Sequence, residues 1–167
     1  MTPPFEIKRH SKGFTLIELI VTVTIVSILA SVTMPMLKMT VQRSKETELR
    51  ANLRQIREAI DAYKKAADEG RINKSIEANG YPPNLEVLVN GVLDEKDVSK
   101  RKLKFLRRIP LDPMTSVTNA ETEALPNNWG LRSYESDAAE PVAGDDVFDV
   151  YSLSAQIGIN GVPYAKW

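Results

Sequence analysis

The sequence contains no cysteine and a single histidine, His10, in 167 residues. The first absence excludes disulfides, thiolate metal sites and a cysteine nucleophile, so any part folded outside the cytoplasm must be held by packing or by an oxygen-ligated metal. The second leaves no Ser/His or Cys/His pair beyond residue 10. Glycine-rich phosphate loops and zinc-ligand spacings are also missing, and no spacing marks a carboxylate pair, so the chain is expected not to be an enzyme. Charge of one sign is lacking too: 22 basic residues face 22 acidic ones. That balance gives no bulk attraction for nucleic acid.

What the sequence does have is a long apolar run over residues 14–37, in which Glu18 is the lone charge. As a helix it would measure about 36 Å, enough to cross a hydrocarbon core of about 30 Å. Lys8, Arg9, His10 and Lys12 precede it. This basic flank keeps the short N-terminus in the cytoplasm and sends the rest of the chain across the membrane.

An ordinary secretory signal peptide fits poorly, because the run is too long, holds a carboxylate and has no well-placed small-x-small site. A plain membrane anchor leaves Glu18 as an unexplained cost of roughly 2.5–3.5 kcal/mol if it lies deep. A cut between Gly13 and Phe14 would supply a partner. The new α-amino group of Phe14 would then lie one helical turn before Glu18, where ammonium and carboxylate can neutralise each other.

Lys12-Gly13-Phe14-Thr15-Leu16-Ile17-Glu18 resembles the processing motif of the type IV pilin and pseudopilin superfamily. The resemblance implies that a membrane-embedded prepilin peptidase cleaves after Gly13 and methylates Phe14 as the mature N-terminus. It also implies that Glu18 directs assembly of subunits into a helical filament. In such filaments the segment around a proline placed like Pro35 can unwind; read without the resemblance, Pro35 is a kink near the membrane exit.

Beyond Lys38 the pattern becomes amphipathic. Leu49, Leu53, Ile56, Ile60, Tyr63 and Ala67 share one helix face, while Arg50, Arg54, Arg57, Glu58, Asp61, Lys64 and Lys65 occupy the others. Glu46/Arg50 and Asp61/Lys65 have the spacing of favourable ion pairs. Gly70 and Asn79-Gly80-Tyr81-Pro82-Pro83 end the helix and turn the chain. Asn84 is placed to cap a short helix that stops near Asn90-Gly91.

The charged stretch Asp94 to Arg108 reads as a solvated helix or loop, anchored by Leu103, Phe105, Leu106 and Ile109. Ile109-Pro110-Leu111-Asp112-Pro113 is a rigid connector, and Thr115 to Asn128 a surface loop. Strands are expected near Trp129–Ser133 and Val147–Leu153, the second alternating Val147, Asp149 and Tyr151 against Phe148, Val150 and Ser152, and the two are joined by a long acidic hairpin loop over residues 135–146. Tyr164 and Trp167 are expected to fold back over the sheet.

The predicted class is α+β: a long N-terminal helix packed on a small C-terminal antiparallel sheet. Residues 1–13 form a removable leader and 14–37 the transmembrane, filament-core half of the helix. Residues 38–68 form its amphipathic half and 69–167 the globular region. Three stretches in this order, Gly80 to Val89, Phe105 to Pro113 and Val147 to Leu153, resemble the major pseudopilins of type II secretion systems.

The resemblance implies a structural subunit of a periplasmic pseudopilus, polymerised from the inner membrane to drive protein secretion. Its implied partners are further copies of itself, the prepilin peptidase, an inner-membrane assembly platform, minor pseudopilins and membrane lipid, with no nucleic acid. Two alternatives are a type IV pilin or minor pilin forming a surface fibre, and a membrane-anchored cargo-binding module. The basic residues between Lys100 and Arg108 would suit DNA in a surface fibre.

The resemblance also implies calcium held by the loop after the last strand. Here residues 153–164 contain no carboxylate, and Gln156 stands where an aspartate is expected. No metal is therefore expected at that loop, since calcium takes about six to eight oxygens with charged ligands among them. Asp145, Asp146 and Asp149 are the remaining candidates, and a solvated loop rim is the simpler account of them. Packing by Tyr164 and Trp167 is expected to take the place of the ion.

Overall fold

The computed structural model describes residues 13–75, 78–115 and 128–167. The chain divides into two compact units, Met1–Val41 and Gln42–Trp167. One helix, α1 (Leu16–Asp68), contributes to both.

In the first unit α1 starts at a capping box. The Thr15 amide donates to Glu18 Oε2 at 3.5 Å, and the Glu18 amide donates to Thr15 Oγ1 at 3.3 Å. Two amides that the helix start would leave unpaired are thereby satisfied. Every described side chain from Phe14 to Val41 is exposed, and an 18-residue window of the helix has a mean hydropathy of 2.3. The hydroxyls within this apolar stretch donate back to carbonyls of the preceding turn: Thr22 to Leu19, Thr24 to Ile20, Ser27 to Val23, Ser31 to Ser27 and Thr33 to Leu29. None then needs water, as a helix facing hydrocarbon requires. The helix continues through residue 35, where proline's missing N–H leaves the Ser31 carbonyl without its helical donor.

In the second unit the predicted apolar face of α1 is the core. Leu49, Leu53, Ile56, Ile60, Tyr63 and Ala67 are all buried, together with Ala59 and Ala66. Leu85, Leu88, Leu106, Met114, Trp129, Val147, Val150 and Tyr164 pack against them. Tyr63 meets Phe105 edge-on at 5.4 Å. The helix ends in a Schellman turn: Gly70 has φ +68°, its amide donates to the Ala67 carbonyl, and the Arg71 amide to that of Ala66.

The short helix α2 (Glu86–Asn90) follows. Asn84 Oδ1 accepts the Val87 amide at 3.0 Å, as its position before the helix predicted. Gly91 then turns the chain at φ +74°, where a Cβ would lie 2.6 Å from the Leu103 carbonyl oxygen, so glycine is required. The Leu88 carbonyl accepts both the Phe105 and Leu106 amides at 2.9 Å. That bond pair fixes residues 105–106 to α2.

The stretch read as a solvated helix or loop supplies the turn and second strand of a small hairpin. β1 (Val92–Leu93) pairs antiparallel with β2 (Lys102–Leu103). Arg71 closes its far side, with Nη2 at 2.6 Å from Asp94 Oδ2 and its carbonyl accepting the Glu95 amide. The second ladder pairs β3 (Trp129–Arg132) with β4 (Asp149–Ser152), with Gly130 opposite Tyr151 and Leu131 opposite Val150. Along β4, Val150 and Ser152 face inward, the alternation read from sequence. The α+β class is as expected, with two two-stranded ladders among the described residues. The central residues of the predicted surface loop, 116–127, lie outside the described residues.

Two predicted ion pairs do not form. Glu46 is buried and turns to the C-terminal loop, while the Arg50 guanidinium lies 4.3 Å from the centre of the Trp167 ring. Asp61 and Lys65 make no salt bridge. The pair that does form one turn apart is Lys64 with Asp68. Core-facing geometry and an available aromatic ring outweigh an exposed pair, which is worth only about 0.2–0.5 kcal/mol.

Candidate functional site

Two places bear on function, one in each unit. In the first, Gly13 is exposed, with no atom of the described residues beyond its chain neighbours within 4 Å of where its Cβ would stand, and Phe14 is 82% exposed. Among the described residues, the Gly13–Phe14 peptide lies just outside the first turn of α1, and both residues are exposed. Glu18 occupies the third helical position, where a carboxylate also favours the positive end of the helix dipole. Thr15, which the sequence reading passed over, is the residue that orients it. The Thr-x-x-Glu spacing was the available signal.

In the second unit the chain after β4 folds into a tight loop. The Tyr164 amide donates to the Gln156 carbonyl, the Gly158 amide to Val162 and the Gly161 amide to Gly158. Ile157 and Pro163 form an antiparallel bridge. Tyr164 opens a 3-10 turn, Tyr164–Lys166, and is fully buried. Its hydroxyl donates to Glu46 Oε1 at 2.9 Å and accepts from Gln42 Nε2 at 2.9 Å, while burial pushes its phenol above the ordinary value near 10. Trp167 stands edge-on to Tyr164 at 5.0 Å and lies so close to Gly158 that a Cβ there would meet its ring at 2.7 Å. The expected folding back of both aromatic residues is present, and it reaches α1 as well as β4.

The residues of this loop do not fit calcium. None of positions 153–164 is acidic, and the Gln156 side chain is exposed. Several loop carbonyls, those of Gln156, Gly158 and Val162, already accept amide protons. Two of the three carboxylates in the second candidate set are committed elsewhere. Asp149 is bound by Arg57 and Arg132, and Asp146 accepts the Tyr134 amide and the Asn79 side chain. Among the described residues no three His, Asp or Glu side chains gather as ligands.

Two residues of the basic run are paired with carboxylates, while Lys104, Arg107 and Arg108 are exposed. Lys100 pairs with Glu95 at 3.2 Å and Arg101 with Asp97 at 2.6 Å. Lys102 points outward from β2 while Leu103 packs inward. Lys100, Arg101 and Lys102 thus lie on a solvated hairpin face.

Comparison with known proteins agrees with the processing motif and extends past it. Residues 8–34 match the family model described as the prokaryotic N-terminal methylation motif. Type II secretion system core protein G of Pseudomonas aeruginosa is 29% identical over 143 residues, covering 83% of this chain and 93% of that protein. The protein of the same name from Aeromonas hydrophila is 29% identical over 110 residues, 64% of this chain and 69% of its own length. No solved structure gives a significant match.

Proposed function

We propose that this chain is a structural subunit of a type II secretion pseudopilus, the role carried by the core protein G relatives. The observation that carries the proposal is the extent of the similarity. A methylation motif alone would fit any pilin-like protein, whereas the match to the Pseudomonas aeruginosa protein runs through the globular unit and covers nearly all of that relative.

In this reading a prepilin peptidase cuts after Gly13 and methylates Phe14. The exposed apolar half of α1 holds the subunit in the inner membrane, with residues 42–167 in the periplasm. Polymerisation exchanges lipid for neighbouring helices. Because both surroundings are apolar, that exchange yields little net hydrophobic gain, and registry comes from packing and from the Phe14 amine meeting Glu18. Pro35 is the point at which the helix can unwind as subunits pack. The assembly platform and minor pseudopilins are the further partners, and the chain acts by assembly rather than by catalysis.

The deciding experiment compares culture supernatants of a strain lacking this gene with its parent. Loss of specific exoproteins from the medium, with their accumulation in the periplasm, is the expected result. An unchanged profile overturns the secretion role and favours a surface fibre.

A further inference from the structure

We infer that Glu46 anchors the C-terminal loop in the role expected of a divalent cation, so that residues 42–167 fold and stay folded without such an ion. Glu46 is 7% exposed. Its Oε1 accepts the Ile159 amide at 2.7 Å, the Tyr164 hydroxyl at 2.9 Å and Gln42 Nε2 at 3.5 Å. Ile159 and Tyr164 come from the loop, at separations of 113 and 118 residues. One carboxylate on α1 therefore pins both the tip and the far arm of the loop.

The polarity of the site argues for an anion. Everything converging on Glu46 Oε1 is a donor: a backbone N–H, a phenol O–H and an amide NH₂. Their positive ends point at one spot, which suits an acceptor oxygen and opposes a cation. A cation would also need about six to eight oxygens, several of them charged. The loop supplies no carboxylate, and the one that reaches it has an oxygen occupied by these donors. Gln42 Nε2 completes the network by donating to the Tyr164 hydroxyl, so that hydroxyl both gives and receives a bond. Buried networks of this kind hold a unique conformation. This inference concerns the fold of the second unit and stands independently of the secretion role.

The test uses the full chain in detergent micelles. Circular dichroism should give the same Tm in excess EDTA, in excess calcium and in neither, and elemental analysis should find no bound calcium. Hydrogen exchange at the Ile159 amide should accelerate about tenfold or more in Glu46→Ala, while amides of the buried α1 face keep their protection. Tyr164→Phe removes only a hydroxyl and Glu46→Gln keeps the side-chain shape. Both should lower Tm, and their effects should be strongly non-additive when combined, which keeps the test valid if Glu46→Ala fails to fold. A wild-type Tm that falls on chelation and recovers with calcium overturns the inference. So does unchanged stability in both Tyr164→Phe and Glu46→Gln.

Discussion

Arg57 Nε lies 2.7 Å from Asp149 Oδ1, joining α1 to β4 across 92 residues of sequence. Arg132 Nη2 takes the other carboxylate oxygen at 3.1 Å, and Arg57 Nη2 also donates to the Val150 and Trp167 carbonyls. Asp149 is thus the shared acceptor of two guanidinium groups, one from the helix and one from the neighbouring strand. Asp149→Asn places an amide where only an acceptor fits. Because the pair is partly solvent-screened, the expected loss is about 1–2 kcal/mol, or a fall in Tm of roughly 2–8 °C. Arg57→Ala should cost more, since it also frees two carbonyls. Thermal unfolding of both variants checks the order, and equal losses would show that the carbonyl bonds contribute nothing.

Asp94 gives the domain an acid-sensitive contact. The Arg71 guanidinium, helped by the Lys96 amide, holds the Asp94 carboxyl below its ordinary value near 3.8, against the opposing effect of desolvation. A lowered folded-state pKa means that the stabilisation is present above the ordinary value and is lost as pH falls through the lowered one. Arg71→Gln should therefore be less stable than wild type at neutral pH, with the difference shrinking as pH falls to about 2. Urea unfolding at both pH values measures it. A gap that stays constant into the acid range would place the contribution of Arg71 elsewhere.

The helix face was legible because Leu49, Leu53, Ile56, Ile60, Tyr63 and Ala67 follow the helical period, and that period survives folding unchanged. The alternation of β4 and the Asn84 cap were legible for the same local reason. Glu46 was not. Its spacing to Arg50 suggests an exposed ion pair, and nothing local reveals that Tyr164, 118 residues later, brings a buried hydroxyl to it. The hairpin of β1 and β2 escaped because two residues per strand carry no alternation. Its pairing rests on Leu88 and Arg71, which lie outside the charged stretch. The methylation motif was the most legible part, since the residues 8–34 that match it are contiguous in sequence.

Gly130 faces Tyr151 across the β3–β4 ladder, and a Cβ on it would lie 2.3 Å from atoms of that ring. The ring covers the glycine as a side chain from the same strand would otherwise do. Gly130→Ala must push Tyr151 aside at an expected cost of about 1–3 kcal/mol. In the double variant with Tyr151→Ala the clash disappears, so the alanine at 130 should then cost less than it does alone. A thermodynamic cycle over the two positions makes the comparison, and strict additivity would show that the ring moves away freely.

In the proposed role, the first turn of α1 separates processing from assembly. The Gly13–Phe14 bond precedes the helix and lies open, whereas Glu18 is held inside the turn by Thr15. Glu18→Ala should leave cleavage largely intact, because the scissile bond keeps its exposure, and should abolish filament assembly, because the Phe14 ammonium loses its countercharge in apolar surroundings. Thr15→Ala retains the carboxylate and removes only its orienting cap, a loss of about 1 kcal/mol at the helix start. Assembly should weaken without vanishing. Gel mobility of the processed subunit reports cleavage. Crosslinking between cysteines introduced on adjacent helices reports the polymer, with no native cysteine to confuse the signal. Normal filaments from Glu18→Ala would overturn the assembly role of this carboxylate, and loss of cleavage in the same variant would move its contribution to the peptidase step.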